Sequence, residues 1–221
     1  MADLVNILEA METALKNNKF VRLTALDQLR EQEEGDPFKV LIGTILSSRT
    51  RDEQTTKAVT KLFTKYKNSQ DIADANLEDI KKVISSVGFY NIKSRRIKEV
   101  SDIINKQYHG KTPNNTKDLL ELPGVGRKTA NCVLVYGFKI PAIPVDTHVH
   151  RIFNRLGIIK TKDPFATEEI LSNILDKKHW IRLNSIVVRY GQNICLPIKP
   201  RCNHCKLTEN CKYYKEKINS N

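Results

Sequence analysis

The sequence predicts an all-α protein. Three observations carry that reading. Apolar residues recur at helical spacing along most of the 221 residues. Capping residues and helix-stopping glycines fall at the ends of those stripes. No convincing run of period-two alternation marks a strand.

The elements follow in chain order. Leu4, Leu8, Met11 and Leu15 mark a first stripe, and Leu26 and Leu29 suggest a second. Phe38, Leu41, Ile42, Ile45 and Leu46 form a third, behind Pro37 in a favourable N-terminal position. Thr50-Arg51-Asp52-Glu53 reads as a capping box before a stripe of Val59, Leu62, Phe63 and Tyr66. Asn76 caps a helix with Ile80, Val83, Ile84 and Val87 on one face, stopped by Gly88. Ile97, Val100 and Ile104 continue to Gly110, and the polar tail Lys212–Asn221 reads as frayed or a short helix. These stripes are core and are assigned no function. The length allows one large domain or two small ones, with no fixed-period repeat and no low-complexity linker.

The formal net charge is +12, which points to a polyanionic partner, most simply nucleic acid. Aromatic residues make up 7%, and no RNA-recognition aromatic signature stands among them. The start of the chain carries Asp3, Glu9 and Glu12, so it lacks the pattern of a signal peptide. No apolar run approaches the length of a membrane span. The expectation is a soluble, cytoplasmic protein without a targeting signal, nucleoid-associated if prokaryotic, in a compartment where thiols stay reduced.

Four of the five cysteines crowd together as C-x6-C-x2-C-x5-C: Cys195, Cys202, Cys205 and Cys211. Structural zinc sites use paired short knuckles, and only Cys202/Cys205 is such a pair. The wider flanking gaps suit a [4Fe-4S] cube, which takes one thiolate per iron. Iron–sulfur therefore ranks ahead of zinc, and a disulfide framework comes third. Bound, such a cluster would lower the net charge by roughly 2. Cys132 lies in an apolar run and reads as a small buried hydrophobe.

The second motif is Leu122-Pro123-Gly124-Val125-Gly126-Arg127-Lys128-Thr129-Ala130. A helix ends near Glu121, proline and two glycines make a tight turn, and a new helix starts at about Arg127. The glycines leave the backbone bare, so a phosphate can approach the free N–H groups of the new helix. Such a helix–hairpin–helix holds the DNA backbone without reading sequence.

Leu122–Asn131, Pro144-Val145-Asp146-Thr147-His148-Val149-His150-Arg151 and the cysteine spacing, in that order, resemble endonuclease III, the iron–sulfur branch of the helix–hairpin–helix DNA glycosylases. Leu46–Asp52 and Val87–Asn91 join the resemblance, which runs from about Phe20 to Cys211. It implies two helical lobes with a DNA cleft between them. One is a six-helix barrel with the hairpin, residues 36–140. The other is a cluster lobe of residues 1–35 and 141–221. It implies a [4Fe-4S] cofactor on the four cysteines. It also implies a monomer acting on double-stranded DNA with damaged bases or abasic sites, and a bifunctional glycosylase and abasic-site lyase directed at oxidised pyrimidines.

The resemblance assigns the catalytic lysine to Lys128 and the catalytic aspartate to Asp146. DNA contacts fall to Leu122, Gly124, Val125, Gly126, Arg127, Arg49, Phe89 and Asn91. Arg49 and Phe89 stand where the family commonly has glutamine and leucine, which bears on opposite-base preference and lesion range. An amine attacking C1′ of an extruded sugar displaces the base and leaves a Schiff base. Asp146 also reads as a helix N-cap. Lys128 and Asp146 are expected close but without a bidentate ion pair, because a tight pair would raise the lysine pKa and silence it. His148 and His150 are given no metal role, and His204 reads as a loop residue. Two alternatives stand beside this reading: a monofunctional mismatch glycosylase, whose members typically lack this lysine, and a non-catalytic DNA-holding module.

Overall fold

The computed structural model describes residues 3–19, 21 and 35–219. Among them the regular elements are helices, as the periodicity predicts, and none is a strand. The stripe expected at Leu26 and Leu29 lies outside the described residues. The chain divides into two compact units, Met1–Thr24 with Pro141–Asn221, and Ala25–Ile140.

In the unit of residues 25–140, α2 (Pro37–Ser47) is the central helix. Phe38, Val40, Leu41, Ile42, Thr44, Ile45 and Leu46 are all buried, as in a helix surrounded by others. Each buried Leu or Ile contributes about 1.5–3 kcal/mol. Asp36 caps the helix, its Oδ1 accepting from the Phe38 and Lys39 N–H groups at 2.8 and 3.2 Å, with Pro37 at the first position. Helix α3 (Asp52–Lys65) buries Val59, Leu62 and Phe63 as predicted, and the Phe38 ring meets Phe63 edge-on at 6.1 Å.

The capping box predicted at Thr50 does not form. Arg51 is the N-cap and makes no side-chain cap bond. The Thr50 hydroxyl instead accepts from the Lys93 ammonium at 2.9 Å. Helix α4 (Ser69–Asp74) is capped by Asn68, and α5 (Leu77–Val83) by Asn76, whose Oδ1 accepts from Glu78 N–H at 2.8 Å. Helix α5 stops a turn before the expected Gly88. Ile84 leaves the helix at φ −101°, ψ 17°, and Val87 N–H closes a separate turn on Ile84 O at 2.9 Å. Ile84 and Val87 remain buried, so their spacing marked burial rather than helix.

Helix α6 (Tyr90–Tyr108) buries Ile97, Val100 and Ile104. Helix α7 (Thr116–Glu121) leads through the glycine turn into α8 (Arg127–Cys132). Cys132 is fully buried, as expected of a small hydrophobe. A π-helical turn, Val133–Gly137, continues α8 and buries Val133 to Tyr136. A Cβ at Gly137 would lie 2.8 Å from Pro37 Cα, so the end of this turn rests directly on the start of α2.

The other unit begins with α1 (Leu4–Lys16), capped by Asp3, with Leu4, Leu8, Met11 and Leu15 all buried. It continues with α9 (Thr147–Leu156), α10 (Pro164–Ile174), α11 (Trp180–Asn193) and α12 (Lys212–Asn219). Helices α1 and α9 pack on α11 around Leu8, Met11, Val149, Phe153, Leu183 and Val187. The α9–α11 crossing is close at Gly191, where a Cβ would sit 2.6 Å from His148 Nδ1. Among the described residues no helix is long and apolar enough to cross a membrane.

Candidate nucleic-acid interface and metal centre

The glycine turn is built by backbone. Val125 N–H bonds Leu122 O at 3.1 Å, and Ala130 N–H bonds Gly126 O at 2.9 Å. Gly124 has φ +78°, a left-handed conformation that favours glycine, and a Cβ there would strike Arg96 Cδ at 2.8 Å. Gly126 is the N-cap of α8, and a Cβ there would meet nothing within 4 Å. The two glycines therefore do different work: one makes the bend, the other leaves an open approach to the helix start. Gly124, Gly126 and Arg127 are exposed, whereas Leu122 and Val125 are buried. Those two apolar side chains anchor the turn, and only their backbone could meet a partner.

Arg49 and Phe89 come together. Both are exposed and both have positive φ, 51° and 58°. The Arg49 guanidinium lies 5.8 Å from the Phe89 ring centroid, and Phe89 is 58% exposed. Beneath them the chains touch: a Cβ at Gly88 would lie 2.8 Å from Arg49 O. Asn91 is exposed in the first turn of α6.

Lys93, two residues on, is only 5% exposed. Its ammonium donates to Leu46 O at 2.8 Å, to Thr50 Oγ1 at 2.9 Å and to Ser48 O. The Leu46 carbonyl ends α2, where the helix dipole favours a cation. Burial, and secondly Arg96, lower the Lys93 pKa to about 8. The first half of α6 thus carries Asn91, the grip on the Arg49 loop and the Arg96 contact with the hairpin.

Lys128 is half-buried at the second position of α8. Asp146 is half-buried and is the N-cap of α9, its Oδ1 accepting from His148 and Val149 N–H, both at 2.9 Å. The capping reading of Asp146 is therefore what this geometry displays. Lys128 lies in the unit of residues 25–140 and Asp146 in the other.

The four cysteines line one cavity, with empty space of about 410 Å³ that includes its mouth. None is in a disulfide. Hydrogen-bond donors surround the sulfurs. Tyr190 O–H donates to Cys205 Sγ at 2.8 Å and Leu207 N–H to the same sulfur at 3.3 Å. Arg155 Nη1 reaches Cys195 Sγ at 3.6 Å and Leu196 O at 2.7 Å, and its Nη2 reaches Pro197 O at 2.7 Å. The Tyr213 ring stacks 4.4 Å from that guanidinium. Arg151 Nη2 donates to Gly191 O and Cys195 O at 3.1 and 2.8 Å.

Burial, followed by the neighbouring sulfurs, pushes the Cys202 thiol up, and burial is the largest influence raising Cys211. Four thiolates gathered here repel one another unless positive metal charge joins them. Partial burial, shared lining and donors aimed at sulfur fit a thiolate-bound metal group. Among the described residues no three His, Cys, Asp or Glu side chains converge tightly enough for a single ion.

His150 Nδ1 lies 2.7 Å from Thr167 Oγ1, and Arg151 Nη2 donates to His148 Nδ1 at 3.1 Å. His204, Lys199, Arg201, Lys206 and Lys212 are exposed around the cysteine loop. Sequence reasoning missed Lys93, Tyr190, Arg151 and Arg155. Lys93 had a signal: it stands four residues before Ile97, a polar residue on an apolar stripe. The donors to the cysteines had none, because their partners lie 15 to 44 residues away.

Comparison with known proteins places these features in one family. The profile of the HhH-GPD superfamily base excision DNA repair proteins matches residues 42–177. The chain is 49% identical to endonuclease III of Thermotoga maritima, covering 85% of this chain and 88% of that one. It is 36% identical to endonuclease III of Rickettsia prowazekii over 89% and 94% of the two chains. A trapped endonuclease III–DNA covalent intermediate superposes with a TM-score of 0.79 at 32% identity, covering 88% of this chain and 95% of that chain. A thermostable thymine-DNA glycosylase superposes with a TM-score of 0.83 at 28% identity over 95% of each. With its glycine hairpin, its clustered cysteines and this likeness along most of its length, the chain belongs to the endonuclease III family of HhH-GPD base excision repair proteins.

Proposed function

We propose that this chain is a bifunctional DNA glycosylase and abasic-site lyase of base excision repair, acting on oxidised pyrimidines in double-stranded DNA. The observation that carries the reading is Lys128, half-buried in the first turn after a bare-backbone hairpin. That position brings an amine beside the place where a phosphate would rest. The partial positive charge of the helix start and neighbouring Arg127 both favour its neutral, nucleophilic form.

Lys128 Nζ attacks C1′ of the flipped nucleotide and the C1′–N bond breaks, the base leaving with a proton. The attached nitrogen gives up one proton, O4′ takes up one as the C1′–O4′ bond breaks, and the opened sugar is left as an iminium on Lys128 that keeps its last N–H. Loss of the C2′ proton then expels the 3′ phosphate and nicks the strand. Asp146 receives or relays protons and steadies positive charge developing on the sugar. Its Oδ1 is committed to the α9 cap, so this role falls to Oδ2. Gly124, Gly126 and Arg127 hold phosphate, with Leu122 and Val125 as anchors. Arg49, Phe89 and Asn91 meet the DNA around the extruded base.

Cys195, Cys202, Cys205 and Cys211 would hold a [4Fe-4S] cluster. Bound, it supplies a rigid node tying four chain positions together, since base excision itself moves no electrons.

Borohydride reduction in the presence of a duplex carrying thymine glycol or an abasic site tests the proposal. A covalent protein–DNA adduct is expected, and its absence would overturn the lyase. Lys128→Ala should abolish the adduct. Asp146→Asn keeps a capping side chain and removes the charge, so it should slow base release while leaving the fold intact. A second reading, a monofunctional mismatch glycosylase, draws on the likeness to the thymine-DNA glycosylase. Base release from a mismatch without a trapped adduct would favour it.

A further inference from the structure

Lys93 belongs to neither the proposed chemistry nor the phosphate contacts, yet among the described residues of its unit it is a buried cation with three hydrogen-bond acceptors. Three oxygens receive its ammonium: Leu46 O, Ser48 O and Thr50 Oγ1. These flank Arg49 on both sides. Its own backbone N–H bonds Phe89 O at 3.0 Å. One residue thus fastens the Arg49 loop through its side chain and the Phe89 turn through its main chain. The two segments also touch directly at Gly88, and the Arg49 guanidinium stands over the Phe89 ring.

Both exposed residues hold left-handed backbone, which costs about 1 kcal/mol or more at each non-glycine position and persists only where surroundings impose it. The tie from Lys93 is such a surrounding. A buried ammonium with three acceptors is close to neutral for stability, because desolvation offsets the bonds it makes. What it supplies is geometry.

We propose that Lys93 is a positioning residue that locks the Arg49 loop and the Phe89 turn into one preformed probe of the lesion site, and so sets opposite-base discrimination. This rests on the reading that Arg49 and Phe89 enter the DNA. Without the ammonium, the two segments move separately, and each must be ordered anew when DNA binds. The cost then falls on lesion recognition and not on general adhesion to phosphate.

The test measures binding of the intact protein to duplexes carrying tetrahydrofuran, an unreactive abasic analogue, opposite each of the four bases, and to the undamaged duplex. Lys93→Met keeps the stem and removes the charge. It should weaken tetrahydrofuran binding about tenfold and flatten the differences among opposite bases, matching Arg49→Ala and Phe89→Ala. Undamaged-duplex binding and the unfolding temperature should stay at parental values. Lys93→Arg, which keeps a cationic donor, should restore part of the discrimination.

A Lys93→Met protein with parental discrimination would overturn the proposal. Equal losses on damaged and undamaged duplexes would also overturn it, by showing a purely structural role. If Arg49→Ala and Phe89→Ala bind tetrahydrofuran like the parent, the DNA reading of those residues fails first and takes the proposal with it. Should Lys93→Met fail to fold, Thr50→Val decides. It removes one acceptor at a loop position and should cost discrimination about threefold. An unchanged Thr50→Val would count against the tie.

Discussion

Between Leu122 and Arg127 the turn is closed by main-chain bonds and one left-handed glycine. Between Ile194 and Cys211 the chain is steadied by distant side chains, with Arg151, Arg155 and Tyr190 donating to its carbonyls and sulfurs. Both segments are irregular, and both carry exposed basic residues. The hairpin reaches its shape from five local residues. The cysteine loop draws on distant residues that converge on one cavity, where burial first raises the Cys202 and Cys211 thiols; in the proposed function a positively charged centre joins the four sulfurs. The contrast teaches that one element is shaped by its own short segment, while the other draws on side chains of helices α9 and α11.

The sharpest way to break the contrast is to remove the centre. Cys205→Ser deletes the sulfur that Tyr190 and Leu207 share. It should abolish the visible chromophore expected of the proposed iron–sulfur cluster and lower the unfolding temperature by roughly 5 °C or more, seen by calorimetry. Hairpin variants should leave the chromophore at parental intensity.

Next in size, Gly124→Ala forces a Cβ onto a left-handed backbone and into Arg96, and should cost about 1–3 kcal/mol in denaturant unfolding. Gly126→Ala meets open space and should fold normally, yet weaken DNA binding by crowding the phosphate approach. Equal stability losses at the two glycines would erase the division of labour drawn between them. Tyr190→Phe should cost about 1 kcal/mol by removing the O–H···S bond, while keeping the chromophore.

The smallest effect is a pH slope. Lys93 titrates near 8 in the folded chain against an ordinary 10.5, lowered by burial first and Arg96 second. Between those values the unfolded chain keeps a proton that the folded chain has released. The Lys93 contribution therefore raises stability as pH climbs from about 8 to 10.5, and is level outside that window. Arg96 on the same helix, and Arg49, Arg51 and Asp52 on the gripped segment, are common to parent and Lys93→Met. Their titrations cancel in the comparison. The parent should show the extra slope in urea melts across that window, and identical slopes would return Lys93 to its ordinary pKa.

The legible parts of this molecule were those in which one segment suffices. Leu4 to Leu15 and Phe38 to Leu46 could be read as helices because burial and spacing coincide within each. The glycine hairpin could be read because its bend is local. Ile84 to Val87 misled, since buried residues in a turn mimic a helical stripe. Thr50 misled more instructively. Its capping pattern was genuine in sequence, but a lysine 43 residues away captured the hydroxyl. Asp146 reads from the sequence as a catalyst that also caps a helix, and the cap is what its short-range bonds display.

Gly137 gives α2 a second function as a strut. At one end the helix abuts Pro37 against the bare backbone that closes the Lys128 segment. Ten residues later, about 15 Å along the axis, it delivers Ser47 to the loop of Arg49. The clearance at the first end is too small for a methyl group. An alanine there would shove the whole rod lengthwise, so a mutation in the turn that continues the Lys128 helix would surface as a displaced Arg49 at the opposite tip.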